Sequence, residues 1–396
     1  MNDEQFIELV ASDKECNFIA SAISPWHANG IDATIEYFRR KGIHLKGYIA
    51  VDSHHINGRI ISYKNFISDN EDIRIVEIET TPKSWKYKFY VNAISIIRTF
   101  ISAPQSRYDR FRYIYICNTC YPDFGYIYRL FKYDKNIIVK YVLIDEGIGG
   151  YYVNDRNDWV NTHIEEKNAR HNSVSLRLIY SLLFFIRFIP KRIMIKKLES
   201  MGRYINNNLL IESGEKLISN VKIIKCYKYV YDKLRINISE ESQEYYANAL
   251  VISTNHLSER DKKVSSISWI IEKDIIEYAS SNKIKIVVKP HPREAEFDEY
   301  LNMKCYIDQE NKMSQESIIG ALHIKPLCVI SLNSSTLVNV SSIFNVPTIS
   351  YAKILIKEDI NLIERKNLEI FTKRFNGIIE FPDSINKLKA LINELK

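Results

Sequence analysis

The chain alternates short blocks of apolar, β-branched and aromatic residues with stretches of helical periodicity. The first block, residues 17–23 (Asn-Phe-Ile-Ala-Ser-Ala-Ile), predicts a buried strand. It leaves through Ser24-Pro25-Trp26-His27, read as a loop, into a helix from about Gly30. There Ile31, Ile35 and Phe38 recur at helical spacing and Gly42 closes the helix. Residues 45–51, 73–78, 113–117 and 137–144 repeat the strand signature. Strands that alternate with helices imply a parallel sheet, and so an α/β fold.

The same grammar restarts at residues 249–253, after the polar, helix-friendly stretch 236–246, taken as the join between two lobes. A helix over 266–279 carries Ile267, Ile271, Ile275 and Tyr278 on one face. Strands at 283–288, 328–332 and 348–351, a helix over 336–344 and a terminal helix over 384–396 complete the pattern. Residues 1–240 are therefore expected to form one Rossmann-like lobe and 241–396 a second, with the terminal helix packing back on the first. A chain of 396 residues is long for a single core, which agrees with two domains.

Composition narrows the class. With 46% hydrophobic and 26% charged residues, extensive disorder is excluded. The net charge of +7 is spread along the chain, so no basic stripe or zinc module marks a nucleic-acid partner. Six scattered cysteines are no disulfide framework, and Cys117-Asn-Thr-Cys120 lacks the further ligands of a zinc site. The acidic opening does not read as a secretory signal, which makes the cytoplasm the expected location. Residues 174–195 are both apolar and basic, too short in their uncharged part to span a bilayer. They read as a core helix or as a peripheral contact with the inner face of the membrane.

Candidate chemistry is weighed by position, since open α/β sheets bind ligands beyond the carboxyl ends of their strands. Three motifs stand there: Asp145-Glu146-Gly147, Lys289-Pro290-His291-Pro292, and Ser334-Ser335-Thr336 at the start of a helix. Each has a plainer reading, as a turn, a rigid loop or an N-cap. Together they suit transfer from a nucleotide. Helix N–H groups and hydroxyls at Ser334, Ser335 and Thr336 suit a phosphate. His291, held between prolines, can donate to a departing phosphate oxygen, and one of two adjacent carboxylates can act as a base. The chain has no Asp-x-Asp, so transfer without a metal is expected.

In order and placement these motifs resemble those of bacterial sialyltransferases, nearest to the capsular polysialyltransferases and the enzymes that sialylate lipooligosaccharide or O-antigen. The shared elements are the D/E-D/E-G, H-P and S-S/T motifs, and Ile148-Gly149-Gly150-Tyr151 and Lys289-Pro290 extend the first two. The resemblance implies a GT-B fold, two Rossmann-like lobes whose parallel sheets face a central cleft. It also implies inverting transfer from CMP-N-acetylneuraminic acid to a hydroxyl of a cell-surface glycan, with no cofactor. Asp145 is then the general base, with Glu146 the alternative. His291 serves the leaving phosphate, and Lys289, Pro290, Pro292, Ser334, Ser335 and Thr336 surround the nucleotide. Ser253-Thr254-Asn255 are further nucleotide candidates, Asp308 or Glu310 candidates for the ribose. Ser24, Pro25, Trp26, His27 and Gly147 are candidates for acceptor or donor sugar. Rival readings keep the fold with another donor (CMP-Kdo, CDP-glycerol or a UDP-sugar), or make the chain a non-catalytic peripheral component of polysaccharide assembly.

Overall fold

The structure is a computed structural model. It describes residues 1–22, 25–56, 59–62, 71–79, 111–118, 130, 138–144, 199–205, 221–223, 238–254, 262–291, 298–308 and 314–396. Two compact units emerge, Met1–Tyr227 and Lys228–Lys396, where the sequence reading ends the first lobe at 240. Elements are numbered below in chain order among the described residues.

The acidic start of the chain is a helix, α1 (Asp3–Ser12). Asn2 accepts from the Gln5 N–H while the Gln5 side chain accepts from the Asn2 N–H, a reciprocal cap that satisfies two exposed donors. Phe6, Ile7 and Val10 are buried against Ile19, Tyr48, Ala50 and Tyr141. The sheet they cover contains β1 (Phe18–Ala22), β2 (Gly47–Ile56), β3 (Arg59–Ser62), β4 (Ile73–Glu79) and β5 (Phe111–Asn118). It continues with β6 (Ile138–Ile144), β7 (Glu199–Ile205) and β8 (Val221–Ile223). Its order is β3-β2-β1-β5-β6-β7-β8, with β4 also paired to β2. Every pairing is parallel except β2 with β3.

The helix after β1 is α2 (Pro25–Arg40), with Ala28, Ile31, Ala33 and Phe38 buried. Gly42 (φ +74°) ends it: its N–H donates to Arg39 O, and the Ile43 N–H reaches back to Phe38 O. This pair of bonds closes the last turn and needs the left-handed backbone that glycine adopts freely. Gly47 is required for a different reason, because a Cβ there would lie 2.0 Å from Phe18 O of the neighbouring strand.

The second unit opens with α3 (Glu240–Tyr246), inside the stretch expected to join the lobes. There follow β9 (Leu250–Ser253), α4 (Lys262–Ser281), β10 (Ile286–Lys289), α5 (Asp298–Leu301), β11 (Tyr306–Ile307) and α6 (Gln315–Ala321). The rest comprises β12 (Cys328–Ser331), α7 (Ser335–Phe344), β13 (Thr348–Ser350), α8 (Ala352–Ile356), α9 (Leu362–Arg374) and α10 (Ile385–Leu395). The five strands run in the order β11-β10-β9-β12-β13, all parallel. Every residue of β9, β10, β12 and β13 is buried, as in a sheet covered on both faces.

Lys325 finishes α6 by donating to the carbonyls of Ile319, Gly320 and Leu322 at 2.6, 3.1 and 2.9 Å, which satisfies helix-end acceptors with a charge of the favourable sign. The terminal helix α10, expected to reach the first lobe, has its described contacts with α4 of its own unit. Lys389 Nζ lies 2.9 Å from Asp274, and the Tyr278 hydroxyl donates to Lys389 O. Residues 174–195 and the pair Cys117-Cys120 fall partly or wholly outside the described set: Cys117 ends in β5, while Cys120 and the 174–195 segment are not described. Among the described residues, no helix is long and apolar enough to cross a membrane.

Candidate active site

The second sheet starts at β9 and grows outward in both directions, so its topological switch lies between β9 and β12, at the carboxyl ends of the strands. Four chain exits gather along that edge: Thr254 after β9, Pro290-His291 after β10, Asp308 after β11, and Asn333-Ser334 after β12. Side chains and backbone lace the exits together. The Thr254 N–H donates to Lys289 O at 3.1 Å, and the Thr254 hydroxyl accepts from the His291 N–H at 2.9 Å. On the other side of β9 the buried Ser331 hydroxyl donates to Ser253 O at 2.7 Å. The Ser350 hydroxyl donates to Leu332 O and accepts from the Ala352 N–H. All but the last of these bonds cross from one strand end to the next.

Ser334 is the N-cap of α7, extended at φ −79° and ψ 143°, and its hydroxyl accepts from the Thr336 N–H at 3.2 Å. The plain capping role is thus real, and Ser334 and Ser335 remain half-buried at the helix start, as does His291 at the exit of β10. Hydroxyl hydrogens, helix N–H groups and an imidazole form a donor-rich edge suited to an anion.

Three of the expected site residues have partners within the unit. Thr336 does not turn its hydroxyl outward: buried, it donates to Glu316 Oε1 at 3.1 Å, and Asn339 Nδ2 donates to the same oxygen at 3.2 Å. Thr336 is a brace for the first turn of α7, because Glu316 on α6 holds it from behind. Lys289 is directed inward, its ammonium 3.2 Å from Asp308 Oδ2 and 3.4 Å from Asp308 O. Asp308, expected as a ribose ligand, is itself buried between that ammonium and the Tyr246 hydroxyl, which donates to Oδ2 at 2.6 Å. Burial pulls the Lys289 ammonium below the usual lysine range, against the pull of Asp308. Burial first, and then the charge of Asp308, push the Tyr246 phenol well above the usual tyrosine range.

One correction concerns the first unit. Pro25, Trp26 and His27 are not a strand-exit loop but the first turn of α2, with proline at a position where its missing N–H costs nothing. Trp26 and His27 are buried, and burial pushes the His27 imidazole down to about 4, which keeps it neutral. They belong to the interior of the unit.

Ser24, Asp145, Glu146, Gly147, Asn255, Pro292 and Glu310 lie outside the described residues. The strand that precedes the acidic motif does not: β6 ends at Ile144, at the carboxyl edge of the first sheet. The residues that sequence reasoning missed are Glu316, Asn339 and Tyr246. Their only signal was local, a Ser314 cap placing Glu316 in the first turn of α6.

Two Rossmann-like α/β units in one chain, the second with a donor-rich carboxyl edge, define a GT-B-type protein. One solved structure agrees on the fold. A protein described as a UDP-N-acetylglucosamine 2-epimerase from Listeria monocytogenes superposes with a TM-score of 0.51 at 8% identity, over 96% of this chain and 88% of its own. An alpha/beta-galactoside alpha-2,3-sialyltransferase from Photobacterium phosphoreum gives a TM-score of 0.49 at 12% identity, over 95% of this chain and 100% of its own. No curated protein matches the chain by sequence. The alpha-2,8-polysialyltransferase (POLYST) family model does, over residues 18–353, and the chain belongs to that family. It is a glycosyltransferase of GT-B fold that transfers sialic acid, and membership implies a nucleotide-sugar donor and a glycan acceptor.

Proposed function

We propose that the chain transfers N-acetylneuraminic acid from its CMP derivative to a hydroxyl of a bacterial surface glycan, with inversion and without a metal. The observation that carries this reading is the pairing at one sheet edge of His291, anchored by Thr254, with the Ser334-capped start of α7. In this mechanism Ser334, Ser335 and the first N–H groups of α7 hold the CMP phosphate. The acceptor hydroxyl attacks C2 of the sialic acid as Asp145, or Glu146 in its place, takes the hydroxyl proton. The C2–O bond to phosphate breaks with its electron pair going to the phosphate oxygen. His291 donates a hydrogen bond or proton to that oxygen. Polymer formation through α-2,8 linkages, and attachment at the inner face of the membrane through residues 174–195, are extensions of the same proposal.

Asp145→Ala and His291→Ala are each expected to lower kcat by about 100-fold or more while the protein stays folded, since a base and leaving-group assistance each supply that much. Near wild-type transfer by both variants refutes the assignment. Donor class is read separately: CMP should raise Tm, and stabilisation by UDP alone would favour a UDP-sugar donor. Transfer should persist in chelator, and its abolition with restoration by magnesium or manganese would overturn the metal-free step.

A further inference from the structure

We propose that Asp308, acting through Lys289 and supported by Tyr246, is a positioning residue for His291; the proposal rests on the reading of His291 as the group that serves the leaving phosphate. The connection can be traced bond by bond. The Tyr246 hydroxyl of α3 donates to Asp308 Oδ2 at 2.6 Å, and the same oxygen takes the Lys289 ammonium at 3.2 Å. Asp308 is also stitched to β10 by its backbone, its N–H donating to Val288 O at 2.9 Å. Lys289 O receives the Thr254 N–H, and Thr254 Oγ1 receives the His291 N–H. Between Lys289 and His291 stands only Pro290, whose ring fixes φ. A shift of the Lys289 backbone is therefore passed to the backbone that carries His291.

Stability alone is a poor account of this arrangement. A buried ion pair is often matched or bettered by apolar residues of the same volume, because desolvation offsets the Coulombic attraction. Here Lys289 is 8% and Asp308 2% exposed, so both charges have left water. What the pair supplies is a fixed, directional link between the ends of β10 and β11, at the edge where the reacting phosphate is to be held. Catalytic groups displaced by about 1 Å lose on the order of 100-fold in rate, so such a link has kinetic weight.

The test is a double-mutant cycle on kcat with CMP-N-acetylneuraminic acid and a sialyl-terminated acceptor, with folding checked by circular dichroism and Tm. Asp308→Asn keeps the shape and removes the charge. In the wild-type background it should lower kcat by about 10-fold or more while the donor KM changes less than about 2-fold. In the His291→Ala background the same substitution should cost less than about 2-fold, because the group it positions is already gone. An equal loss in both backgrounds, or no loss in the wild type, overturns the proposal. If Asp308→Asn does not fold, Tyr246→Phe removes a single hydroxyl and passes through the same cycle with the same criteria. An unchanged kcat in His291→Ala alone overturns the reading of His291 and this proposal with it, and that result needs no Asp308 substitution to be seen.

Discussion

Side-chain anchors of two kinds are described, at strand starts in the first unit and at strand ends in the second. In the first unit, the described anchors gather where the strands begin. Asn17, just before β1, donates from its amide to His44 O and accepts from the Lys46 N–H, and the Tyr48 hydroxyl near the start of β2 donates to Asp13. In the second unit Lys285, just before β10, donates to Glu244 O, and further anchors stand where the strands end, at Thr254, Lys289, Asp308, Ser331 and Ser350. Amino-end anchors fix the register of a sheet, and carboxyl-end anchors fix its ligand edge. Anchors of the second kind suit the second unit to hold a small leaving group in one place.

The sharpest way to break that contrast is to cut one anchor of each kind. Thr254→Val removes the acceptor of the His291 N–H without changing side-chain shape, and it should lower kcat by about 10-fold or more with a modest loss of Tm. Asn17→Ala should do the reverse, costing about 1–2 kcal/mol in urea unfolding while kcat of the folded enzyme is unchanged. If the two variants behave alike, the ends of the sheets do not differ in role.

Acid offers a second probe of the first unit. His27 titrates at about 4 when folded but near 6.5 when unfolded, so between these values the unfolded chain holds a proton that the folded chain does not. The stability tied to His27 is fully present above about pH 6.5 and is lost as pH falls toward 4, by about 3 kcal/mol at most. Urea midpoints measured from pH 7 down to pH 4 should fall through that window, and a flat profile would contradict the buried, neutral imidazole.

The smallest effect lies in the second unit, remote from its laced edge. Lys283 ends α4 at φ +57°, its N–H on Ser280 O and the Ile284 N–H on Ala279 O, the geometry that Gly42 supplies after α2. Lys283→Gly should raise stability by about 1 kcal/mol by relieving the left-handed backbone. It should leave transfer unchanged, with Tm and kcat as the two readings.

Much of the fold was legible because burial imposes period. Strands read at 249–253, 328–332 and 348–351 are observed as Leu250–Ser253, Cys328–Ser331 and Thr348–Ser350, since β-branched runs between polar helices have few other uses. The start of α2 was misread because proline ends a helix far more often than a reader credits it with opening one, and Gly30 looked like the beginning. The direction of Lys289 was hidden for a physical reason. In a strand covered on both faces, alternation no longer separates inside from outside, so a terminal lysine gives no sign of which way it turns. Its partner Asp308, and Tyr246 that donates to Asp308, come from β11's exit and α3, an association that no local spacing encodes. Thr336 was misplaced likewise, because the carboxylate that holds it stands on a different helix.

The pairing of β2 has a consequence for the chain among its own copies. Residues 47–51 pair with β1 and with β4, and Ser53 with both β4 and β3, so the strand has a partner on either side along much of its length. A strand so flanked offers a second molecule no open row of N–H and C=O groups, which protects it against templated stacking.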